Sequence, residues 1–380
     1  MFSTRVWSRL AVMAIATLAV AGCNHGGGML PIQSGASAPQ SAGQSHPGAD
    51  YSILKVLTRE RVIGSTVDPV HGQLNPYGLT VAPSTNGAFT KGDLVVCNFN
   101  NSANVQGTGY TIVGLHPKVG SKPFLVSSSV KTLAGCDALA LAPDDTIWAA
   151  AFRSNDNPVL SSSGQLLINI TGTPFAHPFG QIFAQHGGVS GAAAFYETNA
   201  GGEGTVVRIN LGSQFTYDVI AEGFAINHGK PGGIFGPSGL AYNNHNDTLY
   251  IVDGANNTVV AFSQVSTIPN GGIVVEKDGI HFKGPSASQA RVVFAGNPLN
   301  GPISSALLFN GNLVIGNTTN STGRNILVEL TPAGQIVATR NVDRGAAGAI
   351  FGIVATGNNA FDTKIYFNDD NANQLRVLER

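Results

Sequence analysis

The chain has 380 residues, a formal net charge of −1 and only 11% charged side chains, against about 25% in an average soluble protein. That composition, which has no run of like charge, excludes a nucleic-acid surface, which needs clustered Lys and Arg. Gly is 48 of the 380 residues while 43% are apolar, the profile of many short strands joined by tight turns.

At the N-terminus "MFSTRVWSR" places Arg5 and Arg9 before the apolar run "LAVMAIATLAVAG". The run is too short to span a bilayer and has the length of a signal-peptide core. It ends in "VAGC", Val20–Cys23, which resembles the bacterial lipobox. The resemblance implies a signal peptide over residues 1–22, lipid on Cys23 and, because Asn24 rather than Asp follows, retention at the outer membrane. Residues 23–50 are dominated by Gly, Ser, Ala, Pro and Gln. Such a segment buries too little apolar surface to offset its ordering entropy and reads as a flexible tether. The expected location is the cell envelope, with the membrane as a partner through the lipid.

Residues 51–380 read as repeated four-stranded units. The segment "SILKVLTRERVIG" (Ser52–Gly64) stands alone before the first. Six first strands follow: Asn75–Pro83, Cys136–Pro143, His177–Gln185, Gly236–Asn244, Gly301–Phe309 and Ala349–Gly357. Each leads into a second strand, such as "GDLVVCNF" or "DTLYIVDG", and a third such as "NTVVAFS" or "QLRVLE". Apolar residues run in short blocks and not at helical spacing. Sheets that are apolar on both faces need a neighbour on each side, which closes a ring. The expected fold is therefore an all-β propeller of six four-stranded blades, with seven as the alternative. A seventh would have to come from Leu211–Phe235 or Ser266–Asn300. The last unit has only three strands, so Ser52–Gly64 is expected to supply its outer strand and fasten the ring.

In the fourth unit, "GPSGLAYNNHNDTLYIVDGANNTVVAF" resembles an NHL repeat, with Asp253, Asn256 and Val259 on its pattern and Thr258 where Arg is usual. The match is partial in the first, fifth and sixth units and poor in the second and third. It implies a propeller and little about activity.

The second strands end in Asp or Asn, and this position has two readings. Asn98 with Asn101, Asp253 with Asn256 and Asn317 with Asn320 can close turns by accepting backbone N–H groups. Alternatively, antiparallel pairing brings all these ends to one face, so Asn98, Arg153, Asn155, Glu197, Asn199, Asp253, Asn317, Asp369 and Asp370 would ring the channel mouth as a ligand site. Oxygen donors of this kind suit Ca²⁺; no other cofactor is indicated. The same argument puts Cys97 and Cys136 on one face of neighbouring blades, where a disulfide is permitted; two buried thiols are the alternative.

No HExxH pattern, G-x-S-x-G elbow or phosphate-binding glycine loop occurs. Of nine histidines, His177 alone sits at the entrance of a first strand. Two function classes follow. One is an exported lipoprotein whose propeller binds a protein, peptide or glycan. The other is a metal-dependent propeller enzyme, a lactonase-like hydrolase using Glu197, Asn317 and Asp253, or a lyase using His177.

Overall fold

A computed structural model of the chain describes residues 51–228 and 233–380; the expected signal peptide, Cys23 and the expected tether lie outside them. The described residues form six sheets arranged as a ring of blades. Blade 1 is built from Leu74–Val81, Leu94–Asn100, Thr111–Leu115 and Phe124–Ser127, and blade 2 from Cys136–Leu141, Ile147–Ala151, Asp156–Leu160 and Leu166–Thr171. The first strand of blade 3 is Pro178–Ala184, of blade 4 Pro237–Asn243, of blade 5 Pro302–Leu307 and of blade 6 Ile350–Thr356. In blade 6 the outer strand is Arg59–Ser65, paired antiparallel with Gln374–Glu379. A short helix, Ile53–Val56, precedes it where the sequence pattern reads as strand.

The ring has six blades and not seven. Of the two long stretches, Leu211–Phe235 contains the outer strand of blade 3, Thr216–Glu222. Ser266–Asn300 contains a small hairpin, Ile273–Val275 and Phe282–Lys283, added in parallel to that outer edge, and the outer strand of blade 4, Ala290–Ala295.

Period-two alternation explains the packing. In the second strand of blade 1, Val95 and Cys97 face blade 2, while Leu94 and Val96 face blade 6. Every blade does the same, so six separate apolar layers fill the six gaps between blades. The inner strands approach so closely that side chains are excluded there. A Cβ on Gly180 would lie 2.0 Å from Ser238 O, and one on Gly352 of blade 6 would lie 2.5 Å from Tyr77 O of blade 1, where the ring closes.

All six inner strands skip register near their start, for instance between Pro76 and Leu79 and between Cys136 and Ala138. Such an irregularity re-aims a side chain, and here it decides what fills the axis. Among the described residues no helix is long and apolar enough to cross a membrane.

Candidate functional site

The re-aimed residues Tyr77, Phe179, Ile303 and Phe351 meet on the axis with Phe99 and Ile234. Tyr77 is stacked between Phe99 and Phe351, with ring centroids 4.4 Å and 3.9 Å away, and Phe179 stands edge-on at 6.4 Å. Burial holds the Tyr77 hydroxyl well above its usual range, and the carboxyls of Asp137 and Asp370 add to this. The aromatic group plugs the channel at the face where second strands end. Two depressions flank the plug. One, of about 180 Å³, is lined by Asn75, Tyr77, Gln106, Phe235, Thr318 and Asp370 among others. The other, of about 280 Å³, lies between Phe99, Phe152, Arg153, His177 and Ile234, with Gln106 again at its edge.

The residues expected to ring the mouth divide into two groups. Asn98, Glu197, Asn199, Asp253, Asn317 and Asp369 are fully buried and bonded within the blades. Asp253 Oδ1 accepts the N–H groups of Ala255 (2.9 Å) and Asn256 (3.3 Å), and Oδ2 accepts Asn256 Nδ2 at 2.9 Å. Asn317 accepts Asn300 N–H (3.1 Å) and donates to Pro298 O (2.9 Å). Asn199 accepts Ala176 N–H at 2.9 Å, and Asn98 donates to Thr66 O at 3.1 Å. Asp369 pairs with Arg376 Nε at 2.8 Å. Glu197 receives Asn157 Nδ2 (3.3 Å) from blade 2 and Gln181 Nε2 (3.4 Å), and burial raises its carboxyl well above the usual range, only partly offset by Asn157.

Arg153, Asn155 and Asp370 form the second group. Arg153 is exposed in the larger depression. Asn155 accepts the N–H of His177 at 2.6 Å, fixing that residue in a left-handed conformation with its ring 4.6 Å from that of Phe152. Asp370 is half-buried beside Tyr77; burial first, and the adjacent Asp369 second, push its carboxyl up to about 7.

Glu197, Asn317 and Asp253 share no hydrogen-bond partner, each being occupied in its own surroundings. Among the described residues no group of three or more His, Cys, Asp or Glu is placed to hold a metal ion. The donors at the mouth therefore do not fit a lactonase-type metal centre. Cys97 and Cys136 are joined in a disulfide with Cα atoms 6.0 Å apart, linking blades 1 and 2.

Tyr77, Phe152 and Asp137 are absent from the sequence-derived set. A signal for Asp137 does exist: it precedes the Ala138 anchor, where the equivalent residues before Gly78, Gly180 and Gly352 are aromatic. Whether such a residue reaches the axis depends on the register skip, which no residue pattern announces.

The chain matches no protein-family model and no curated protein sequence, so the NHL likeness assigns no family. Solved structures do resemble it. A virginiamycin B lyase from Staphylococcus aureus superposes with a TM-score of 0.51 at 15% identity, covering 85% of this chain and 99% of that one. Regucalcin, a calcium-binding protein from Agrobacterium tumefaciens, gives 0.54 at 14%, covering 84% and 94%. A gluconolactonase from Xanthomonas campestris gives 0.54 at 12%, covering 83% and 88%. At these identities the likeness establishes the six-bladed propeller fold.

Proposed function

We propose that the channel mouth is a small-molecule site and that Asp370 is its acid–base group, so that the protein is an enzyme of the hydrolase or lyase type. One observation carries this reading: a half-buried carboxyl held near 7 on the wall of a depression at the mouth. A group with that pKa is half-ionised at neutral pH and can take or give a proton there. The surrounding chemistry fits a ring-bearing ligand. Phe152, Phe235 and the His177 ring offer apolar faces, Arg153 a cation and Gln106 an amide. The fold is shared with a lyase and a gluconolactonase, which adds support at the level of fold alone.

A second reading is favoured by the exposed Arg153 beside the Phe152–His177 pair: a non-catalytic module that binds a peptide or glycan. In either case we propose that a lipid on Cys23 holds the propeller at the cell envelope. A panel of lactones, cyclic depsipeptides and glycans, assayed for both binding and turnover, separates the readings. The enzyme reading expects turnover with an acidic limb near pH 7, lost in Asp370→Asn while binding persists. Binding without turnover, weakened by Arg153→Ala and indifferent to Asp370→Asn, establishes the second reading in its place.

A further inference from the structure

The face opposite the mouth carries a groove of about 750 Å³, which shares Tyr242 and Leu307 with the wider end of the channel. It is built on the turns between the first and second strands of three neighbouring blades: residues 244–247 of blade 4, 308–312 of blade 5 and 357–363 of blade 6. These turns read "NHND", "LFNGN" and "GNNAFDT". Part of the Asn content serves the turns themselves. Asn243 Oδ1 accepts His245 N–H (3.0 Å), and Asn310 Oδ1 accepts Asn312 N–H (3.2 Å) while its amide donates to Tyr51 O (3.2 Å). Asn246 and Asn358 differ: both are exposed in the groove, and among the described residues neither side-chain amide has a partner. Phe309 is equally uncommitted. It stands at the corner of a tight turn that is held by Leu308 N–H to Asn312 O (2.8 Å) and Gly311 N–H to Leu308 O (2.9 Å). A polar residue is usual there, yet Phe309 is 43% exposed and belongs to neither apolar layer that flanks blade 5.

No Asp, Glu, Lys or Arg lines the groove, so neither an anion nor a cation finds a counter-charge in it. An Asn amide offers donors and an acceptor together, which matches a hydroxyl group, itself both donor and acceptor. A pyranose ring presents an apolar C–H face with a rim of hydroxyls. Phe309, Leu307 and Pro332 suit that face, and the unpaired amides of Asn246 and Asn358, on the blades to either side of Phe309, suit the rim. The volume lies within the range of about 300–1,000 Å³ usual for ligand sites. We propose that this groove binds a neutral oligosaccharide, with a sugar face laid on Phe309 and its hydroxyls bonded by Asn246 and Asn358. An extended peptide draws much of its affinity from a free strand edge, which turn residues do not offer. The groove and the Asp370 depression lie on opposite faces of the ring, so the sugar site stands whether or not the mouth is catalytic.

Isothermal titration calorimetry of the purified protein with neutral tetrasaccharides of α- and β-linked glucose, mannose, galactose and N-acetylglucosamine tests the site. At least one of them should bind at one site per chain. Its affinity should be the same in about 50 mM and about 500 mM NaCl, because no charge is paired. Phe309→Ala should weaken binding about ten-fold through loss of the aromatic face. Asn246→Ala and Asn358→Ala should each weaken it about three- to ten-fold through loss of a hydrogen bond. All three side chains are exposed, so the variants should melt as wild type does. Leu167→Ala, which removes an exposed apolar side chain from the outer strand of blade 2, should bind sugar as wild type does. No binding across the panel overturns the proposal. Sugar binding that all three groove variants retain overturns it too, and its loss in Arg153→Ala would place the sugar at the mouth instead. Uptake of neutral peptides in place of sugars, lost in Phe309→Ala, assigns the groove to peptide and overturns it as well.

Discussion

Asp253 ends the second strand of blade 4 and Asp370 directly follows that of blade 6, yet their surroundings give them different work. Asp253 accepts two backbone N–H groups and the Asn256 amide, so it serves its turn. Asp253→Ala should lower stability by about 0.5–2 kcal/mol, the usual effect of losing a side-chain acceptor for backbone N–H groups, and denaturant unfolding measures it. Asp370 is held up to about 7 by burial and by Asp369, whereas an unfolded carboxyl titrates near about 3.9. The folded state therefore retains a proton that the unfolded chain releases. This contribution is fully present below about pH 4 and is lost as pH rises through about 7. Melting temperatures from pH 5 to 8 should fall less steeply in Asp370→Asn than in wild type, and the variant should be the more stable at pH 8. Equal slopes would show that Asp370 is not desolvated.

At the scale of elements, the inner strands were legible because each opens on a turn signal and carries a Gly or small residue where it meets its neighbour, as in "NPYG" and "GPSG". The direction of individual side chains was not legible. Asn98 and Glu197 lie on the face that the pairing argument gave them, but both are buried within the blades, and the axis is lined instead by Tyr77, Asp137 and Phe351. A one-residue skip separates these outcomes. The N-terminal segment shows a second feature invisible to pattern. The Glu329 carboxylate of blade 5 accepts Ser52 Oγ–H (2.7 Å) and the N–H groups of Ile53 (3.0 Å) and Leu54 (2.9 Å). Glu329→Gln places a donor where acceptors are needed. It should cost about 1–3 kcal/mol and speed amide exchange in residues 53–65, while unchanged exchange would show that the segment is held by its apolar contacts alone. The disulfide acts at the same scale: replacing both Cys97 and Cys136 with Ala should lower stability by roughly 3–4 kcal/mol on the chain-entropy account, and two thiols titrating in denatured, unreduced protein would remove that expectation.

For the whole molecule, the ring closes because Arg59–Ser65 completes blade 6 and Gly352 lets that blade reach Tyr77 of blade 1. Six apolar layers make each blade dependent on both neighbours, so unfolding should be cooperative. Where this ring works is, on our proposal, set by a lipid on Cys23. Cys23→Ser should abolish fatty-acid labelling and release the protein from membranes, whereas equal labelling of variant and wild type would exclude the lipid anchor. The functional account depends most on the state of Asp370. Carboxyl ¹³C NMR of the protein labelled at aspartate, with Asp370→Asn to assign the signal, follows that group directly through pH. The account requires Asp370 to titrate near pH 7; a midpoint near the ordinary carboxylate value of about 4 would contradict it and leave the mouth without its acid–base group.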